Sequence, residues 1–128
     1  MKKIYIVSLG CPKNLVDTET IVYKFVEKGF DITFEEKKAD IILINTCAFL
    51  NSAIEESNSV IEHYLALKKK KKIESVVVFG CLVERMRDKL TLKYPAIDAI
   101  FGVGSYDGIS DFLSGKGNRF IGSHNKRI

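Results

Sequence analysis

An α/β three-layer sandwich around a mostly parallel, five-stranded sheet is the fold this sequence predicts. Three observations lead there. Short apolar, β-branched runs alternate with longer stretches of helical spacing along the 128 residues. The run at residues 40–46 carries four consecutive apolar residues, Ile41 to Ile44, as a strand covered on both faces would. Single strands separated by helices call for crossover connections, which parallel pairing requires and hairpins do not.

The elements follow in order. Residues 3–9 read as the first strand, and Pro12 suits the first position of a helix. Leu15, Thr18, Val22, Phe25 and Val26 recur at helical spacing after it, and Gly29 is placed to stop that helix. Residues 31–35 form a short second strand at an edge, and residues 40–46 the third. A long helix follows, with Leu50, Ala53, Ser57, Ile61, Tyr64 and Leu65 as its inner stripe. Residues 75–80 make the fourth strand, and Val83, Met86 and Leu90 mark one helix that stops before Pro95. Residues 98–103 make a fifth strand and residues 107–114 a short last helix. This order favours a flavodoxin-like or Rossmann-like arrangement with the first and third strands adjacent, flanking the switch point. Residues 1–115 form one domain, and the Gly-, Asn- and Ser-rich stretch 116–128 reads as a linker toward something further.

Composition limits the function classes. Hydrophobic residues make up 46% and charged residues 28%, an ordinary globular balance. No run approaches the roughly 18 apolar residues of a membrane span, so no membrane partner is expected. Met1-Lys2-Lys3 leads straight into a β-type run without a secretory signal, and a cytoplasmic location is the expectation. Much of the formal charge of +4 comes from Lys68 to Lys72. That run reads as a solvated helix end, where cations favour the helix dipole, or as a docking patch for an RNA-rich partner such as the ribosome. No aromatic residues interleave with the lysines, and direct nucleic-acid binding is not expected of this domain.

The three cysteines share one context. Cys11, Cys47 and Cys81 each follow a strand run and each precede a helical stretch. Ligands of open parallel sheets bind outside the carboxyl ends of the strands, so three thiols from three strands can meet at one edge. Their separations of 36 and 34 residues exclude a compact C-x-x-C zinc or redox motif. Ligation of a soft metal or an iron–sulfur cluster, separately buried cysteines, and a single nucleophile all remain open. Gly10 and Gly80 precede two of the cysteines, where they either let backbone approach a bulky ligand or simply serve the turn. Helix starts after the cysteines would favour thiolates. His63 reads as a surface residue and His124 lies in the tail; Asp17 and Glu19 read as first-turn acids of a helix, and Glu55 and Glu56 as a solvated face. Gly102-x-Gly104 lacks the rest of a dinucleotide fingerprint.

Three ordered motifs bring a known family into view. Ser8-Leu9-Gly10-Cys11-Pro12-Lys13-Asn14-Leu15-Val16-Asp17-Thr18-Glu19 resembles the first motif of the methylthiotransferases. Asn45-Thr46-Cys47-Ala48-Phe49 with Ala53 and Glu56-Ser57 resembles the second, and Gly80-Cys81-Leu82 with Arg85 the third. The Lys-Asn-Leu-Val-Asp and Cys-Ala-Phe wording is similar to the branch that modifies a ribosomal-protein aspartate. The tRNA-modifying branch, the alternative within the family, usually carries a Gln-Met-Asn form at the first motif. A flavodoxin-like flavin or nucleotide module is a further alternative, although Gly-Cys-Pro-Lys-Asn is a poor phosphate turn. A zinc-stabilised interaction domain would want a fourth ligand, and none is obvious.

The resemblance implies that Cys11, Cys47 and Cys81 ligate an auxiliary [4Fe–4S] cluster whose open iron carries the sulfur donor. It also implies a radical-SAM domain holding a second [4Fe–4S] cluster on a C-x3-C-x2-C motif. There S-adenosylmethionine supplies both the methyl group and the radical that activates the aspartate β-carbon. The partners so implied are that domain and the ribosomal protein. This sequence has no C-x3-C-x2-C, so the chain alone is expected to be a fragment without the complete activity.

Overall fold

The computed structural model describes residues 3–9, 12–46, 51–86, 88–102, 109 and 113, with the side chains of 12–18 and 51–53 left aside. Five parallel strands form one sheet: β1 (Lys3–Ser8), β2 (Asp31–Ile32), β3 (Ile41–Thr46), β4 (Ser75–Gly80) and β5 (Ala99–Phe101). Their order is β2-β1-β3-β4-β5, so β1 and β3 are neighbours and the short β2 is an edge, as the sequence predicts. This is the flavodoxin-like order, with its switch point between β1 and β3.

Strand periodicity sorts the core into two halves. Ile42 and Ile44 of β3, Val76 and Val78 of β4, and Ile100 of β5 face one side. There they meet Ile61 and Tyr64 of α2 (Asn51–Lys69), Leu82 and Val83 of α3 (Cys81–Met86) and Leu90 of α4 (Asp88–Lys93). Ile4, Leu43, Val77, Phe79 and Phe101 face the other side, against Ile21 and Phe25 of α1 (Pro12–Glu27) and against Ile109. All six residues of β3 are buried, which makes it the central strand.

Some expectations shift by a residue or two. The buried face of α1 centres on Ile21 and Phe25, while Val26 is 56% exposed. Val22 and Val26 lie one position further round the helix, beyond the line that meets the sheet. Asp17 and Glu19 fall past the first turn of α1, which carries no acid. The second strand contracts to Asp31–Ile32 because β1 offers it a register of only two pairs. The stretch expected as one helix after β4 is helical on both sides of position 87, which lies outside the described residues; its parts are labelled α3 and α4. Of the expected last helix only Ile109 and Leu113 are described, both helical; the linker 116–128 lies outside the described residues.

Two aspartates finish the amino edge of the sheet. The Asp40 carboxylate accepts the Lys3 N–H at 2.9 Å, and its carbonyl accepts the N–H groups of Glu74 and Ser75. The Asp98 carboxylate accepts the Val76 N–H at 2.8 Å and the Lys68 ammonium at 2.9 Å. Donors that the strand ladders leave open are satisfied in this way.

The long helices close with the same device. In α1, the Phe30 N–H reaches the Phe25 carbonyl and the Gly29 N–H the Val26 carbonyl, with Gly29 at φ +90°. The rings of Phe25 and Phe30 pack 5.2 Å apart across this Schellman closure. In α2, the Lys72 N–H reaches the Leu67 carbonyl and the Lys71 N–H the Lys68 carbonyl. The left-handed position here is Lys71, at φ +62°, where a residue with a Cβ costs about 1–2 kcal/mol.

Candidate functional site

The carboxyl edge of the sheet is built by register. Ser8 pairs with Asn45, and Thr46 pairs with Gly80. The Leu9 N–H continues the ladder onto the Asn45 carbonyl at 3.0 Å. The chain therefore leaves β1, β3 and β4 at nearly one level. The next residues along the sequence are Gly10 and Cys11 after β1, Cys47 after β3 and Cys81 after β4. Cys11 and Cys47 lie outside the described residues, as does Gly10. Cys81 is described: it is the first residue of α3, half-buried, and it packs against the core on the α2 side of the sheet.

Thr46 locks the junction between β3 and the turn into α3. Its side chain is wholly buried. The hydroxyl donates to the Phe79 carbonyl at 2.7 Å and accepts the Leu82 N–H at 3.1 Å. Leu82 is the second residue of α3, and its N–H is one of the donors that a helix start leaves without an intrahelical partner. One side chain thus fixes both sides of Cys81, at the residue two before it and the residue after it. The expectation that the start of α3 favours a thiolate narrows accordingly. One of its first-turn donors is spent on Thr46.

Gly80 has its own cause. Its φ is +104°, and a Cβ there would lie 2.7 Å from the Thr46 carbonyl and 2.8 Å from the Asn45 amide oxygen. Glycine is required because β3 runs close alongside, so the turn reading prevails over ligand approach at this position. Gly80 is readable from the sequence as a turn glycine, whereas Thr46 does not stand out by chemical type. Only the register that pairs Thr46 with Gly80 gives Thr46 its role. Among the described residues no group of three or more His, Cys, Asp or Glu side chains is placed to hold a metal ion. The soft thiol of Cys81 at the strand end is the donor the described residues bring to this edge, and it suits iron or another soft metal. His63 is exposed on α2, as expected, with its ring edge against Tyr64; Glu55 and Glu56 are exposed too. His124 and Gly104 lie outside the described residues.

Comparison with known proteins agrees with the motifs. Residues 3–102 match the family described as uncharacterized protein family UPF0004. The ribosomal protein uS12 methylthiotransferase RimO of Lachnoclostridium phytofermentans is 40% identical over 111 residues, which is 87% of this chain and 25% of that protein. The protein of the same name from Wolinella succinogenes is 44% identical, over 88% of this chain and 25% of its own length. That from Thermodesulfovibrio yellowstonii is 42% identical, over 94% of this chain and 28% of its own length. The chain spans about a quarter of the length of these curated relatives. By sequence match, fold and motif order together, the chain belongs to the UPF0004 family and resembles the N-terminal domain of the RimO-type methylthiotransferases.

Proposed function

We propose that this chain is the auxiliary-cluster domain of a ribosomal-protein methylthiotransferase, with Cys11, Cys47 and Cys81 as the three protein ligands of a [4Fe–4S] cluster. The observation that carries the reading is the level ending of β1, β3 and β4, the three strands after which the cysteines occur. Three thiolates fit such a cluster and leave one iron open, and an open iron is what a sulfur donor needs. In the same reading the longer protein supplies a radical-SAM domain with its own cluster and S-adenosylmethionine, and the target is an aspartate β-carbon of a ribosomal protein in the cytoplasm. Support for that part is the name of relatives about 40% identical, ribosomal protein uS12 methylthiotransferases. Within this chain, Thr46 and Gly80 have the work of holding the ends of β3 and β4 so that the residues after them start from a fixed place. No helix among the described residues is long and apolar enough to cross a membrane.

The test is anaerobic reconstitution with iron and sulfide, followed by analysis of both. About four of each per chain are expected, and each of Cys11→Ala, Cys47→Ala and Cys81→Ala should lower both. Zinc bound without sulfide, or a single variant that keeps the full complement, would overturn the assignment. In the longer enzyme, Cys47→Ala should abolish methylthiolation while leaving reductive cleavage of S-adenosylmethionine.

A further inference from the structure

The two Schellman closures form an internal comparison. The first places glycine at the left-handed position and seals it with a ring contact. The second places Lys71 there, within a run of five lysines, and has Lys72 where the first has Phe30. Glycine would serve the backbone better. A strained residue that its surroundings do not require points to a use for its side chain.

The charges at this turn sort themselves. Lys68 is engaged, its ammonium on the Asp98 carboxylate and the Ala96 carbonyl. Among the described residues, Lys69, Lys70, Lys71 and Lys72 form no ion pair, and all four are exposed. A cleft of about 460 Å³ opens beside them, lined by Asp40, Lys68, Lys71, Lys72, Ile73 and Glu74. Asp40 is held by the Lys3 N–H. Five lysines stand here against the three carboxylates of Asp40, Glu74 and Asp98, which leaves the turn positive.

We infer that this lysine turn is a docking surface for the phosphate backbone of RNA. The ammonium groups are point charges without aromatic neighbours in the run, which suits sequence-independent phosphate contact and not base stacking. The sequence expectation of no nucleic-acid contact weighed only the missing aromatics, and phosphate contact does not need them. The choice of RNA over an acidic protein rests on the ribosomal reading above.

The experiment titrates the chain with a short fluorescein-labelled single-stranded RNA across a salt series, with polyglutamate as competitor. Each single-strand phosphate contact contributes about 0.7 to the slope of log affinity against log salt. Replacing Lys69, Lys70, Lys71 and Lys72 together with glutamine should lower the slope by about 3 and weaken binding more than tenfold at low salt. Lys71→Gly is the decisive variant, because it relieves the backbone while removing the charge. Its melting temperature should rise by roughly 3–5 °C, while its RNA affinity falls about two- to fivefold. A lysine with no role in binding would show the first effect without the second, and that result overturns the inference. So would RNA binding by the quadruple variant within twofold of the parent, or competition by polyglutamate as strong as by RNA. Iron loading measured on the same variants should not change. A chain that takes up no iron yet shows the lysine-dependent slope would defeat the cluster reading and support this one.

Discussion

Replacing Thr46 with valine removes one oxygen and leaves a side chain of almost the same shape. The methyl groups still fill the space, so no cavity is expected, and the effect is confined to two hydrogen bonds. The Phe79 carbonyl loses the hydroxyl that donates to it at 2.7 Å, and the Leu82 N–H loses its acceptor at 3.1 Å. Thr46 and Leu82 are wholly buried, so water cannot take over without opening the turn. An unsatisfied buried donor costs about 1–3 kcal/mol, and the lost bond to the carbonyl about 1 kcal/mol more. The sum, about 2–4 kcal/mol, corresponds to a fall in melting temperature of roughly 7–15 °C for a chain of this size. Urea denaturation followed by circular dichroism should show a lower midpoint with an unchanged slope. Thr46→Ser keeps the hydroxyl and loses a buried methyl, and it should cost only about 1 kcal/mol. Serine and valine variants of equal stability, or a valine variant within 0.5 kcal/mol of the parent, would refute the role of the hydroxyl.

Gly80→Ala should destabilise by about 2–4 kcal/mol, since the new Cβ would lie 2.7 Å from the Thr46 carbonyl at φ +104°; a melting temperature within 2 °C of the parent would show that β3 yields easily. Tyr64 and Tyr94 should resist ionisation far into alkaline pH. Burial raises both, and so does the hydrogen bond that each phenol donates to a carboxylate, Glu36 for Tyr64 and Glu62 for Tyr94. A phenol whose folded value lies above its unfolded value of about 10 stabilises the fold fully below that pH, and the contribution declines as pH rises above it. Absorbance at 295 nm should therefore show Tyr64 and Tyr94 titrating only with unfolding. Tyr64→Phe should flatten the alkaline loss of stability, and an unchanged alkaline profile would contradict this.

The layers were legible because the sheet imposes a period on the chain. The run Ile41 to Thr46 opens with four apolar residues in succession, and every residue of it is buried. Gly29 was readable as a helix stop because only the left-handed closure needs it there, and the same reasoning misses Lys71, which occupies that geometry against preference. Phase errors were small and had a mechanical origin. Val26 shares helical spacing with Phe25 yet turns outward, because a helix on a sheet buries a narrow line and the sequence does not say where that line falls. The junction residues were illegible for a different reason. Thr46 and Leu82 are 36 positions apart, and the hydrogen bond between them follows from strand pairing alone. Asp98 is similar: its partners Lys68 and Val76 come from two other elements, so no local pattern marks it. For the cysteines, the sequence showed the strand-end context, and the register adds that Thr46 and Gly80, the residues before Cys47 and Cys81, are partners.

The lysine turn and the carboxyl edge of the sheet are joined by one strand. The lysine turn runs into β4 at Ser75, and β4 delivers Cys81 directly after Gly80. Six residues of strand span about 20 Å. That is at least twice the distance over which surface charges act at physiological ionic strength. A phosphate chain resting on Lys69 to Lys72 would therefore neither neutralise nor cover the carboxyl edge. The parallel sheet provides this separation without additional parts, since each connection between its successive strands returns the chain to the amino edge.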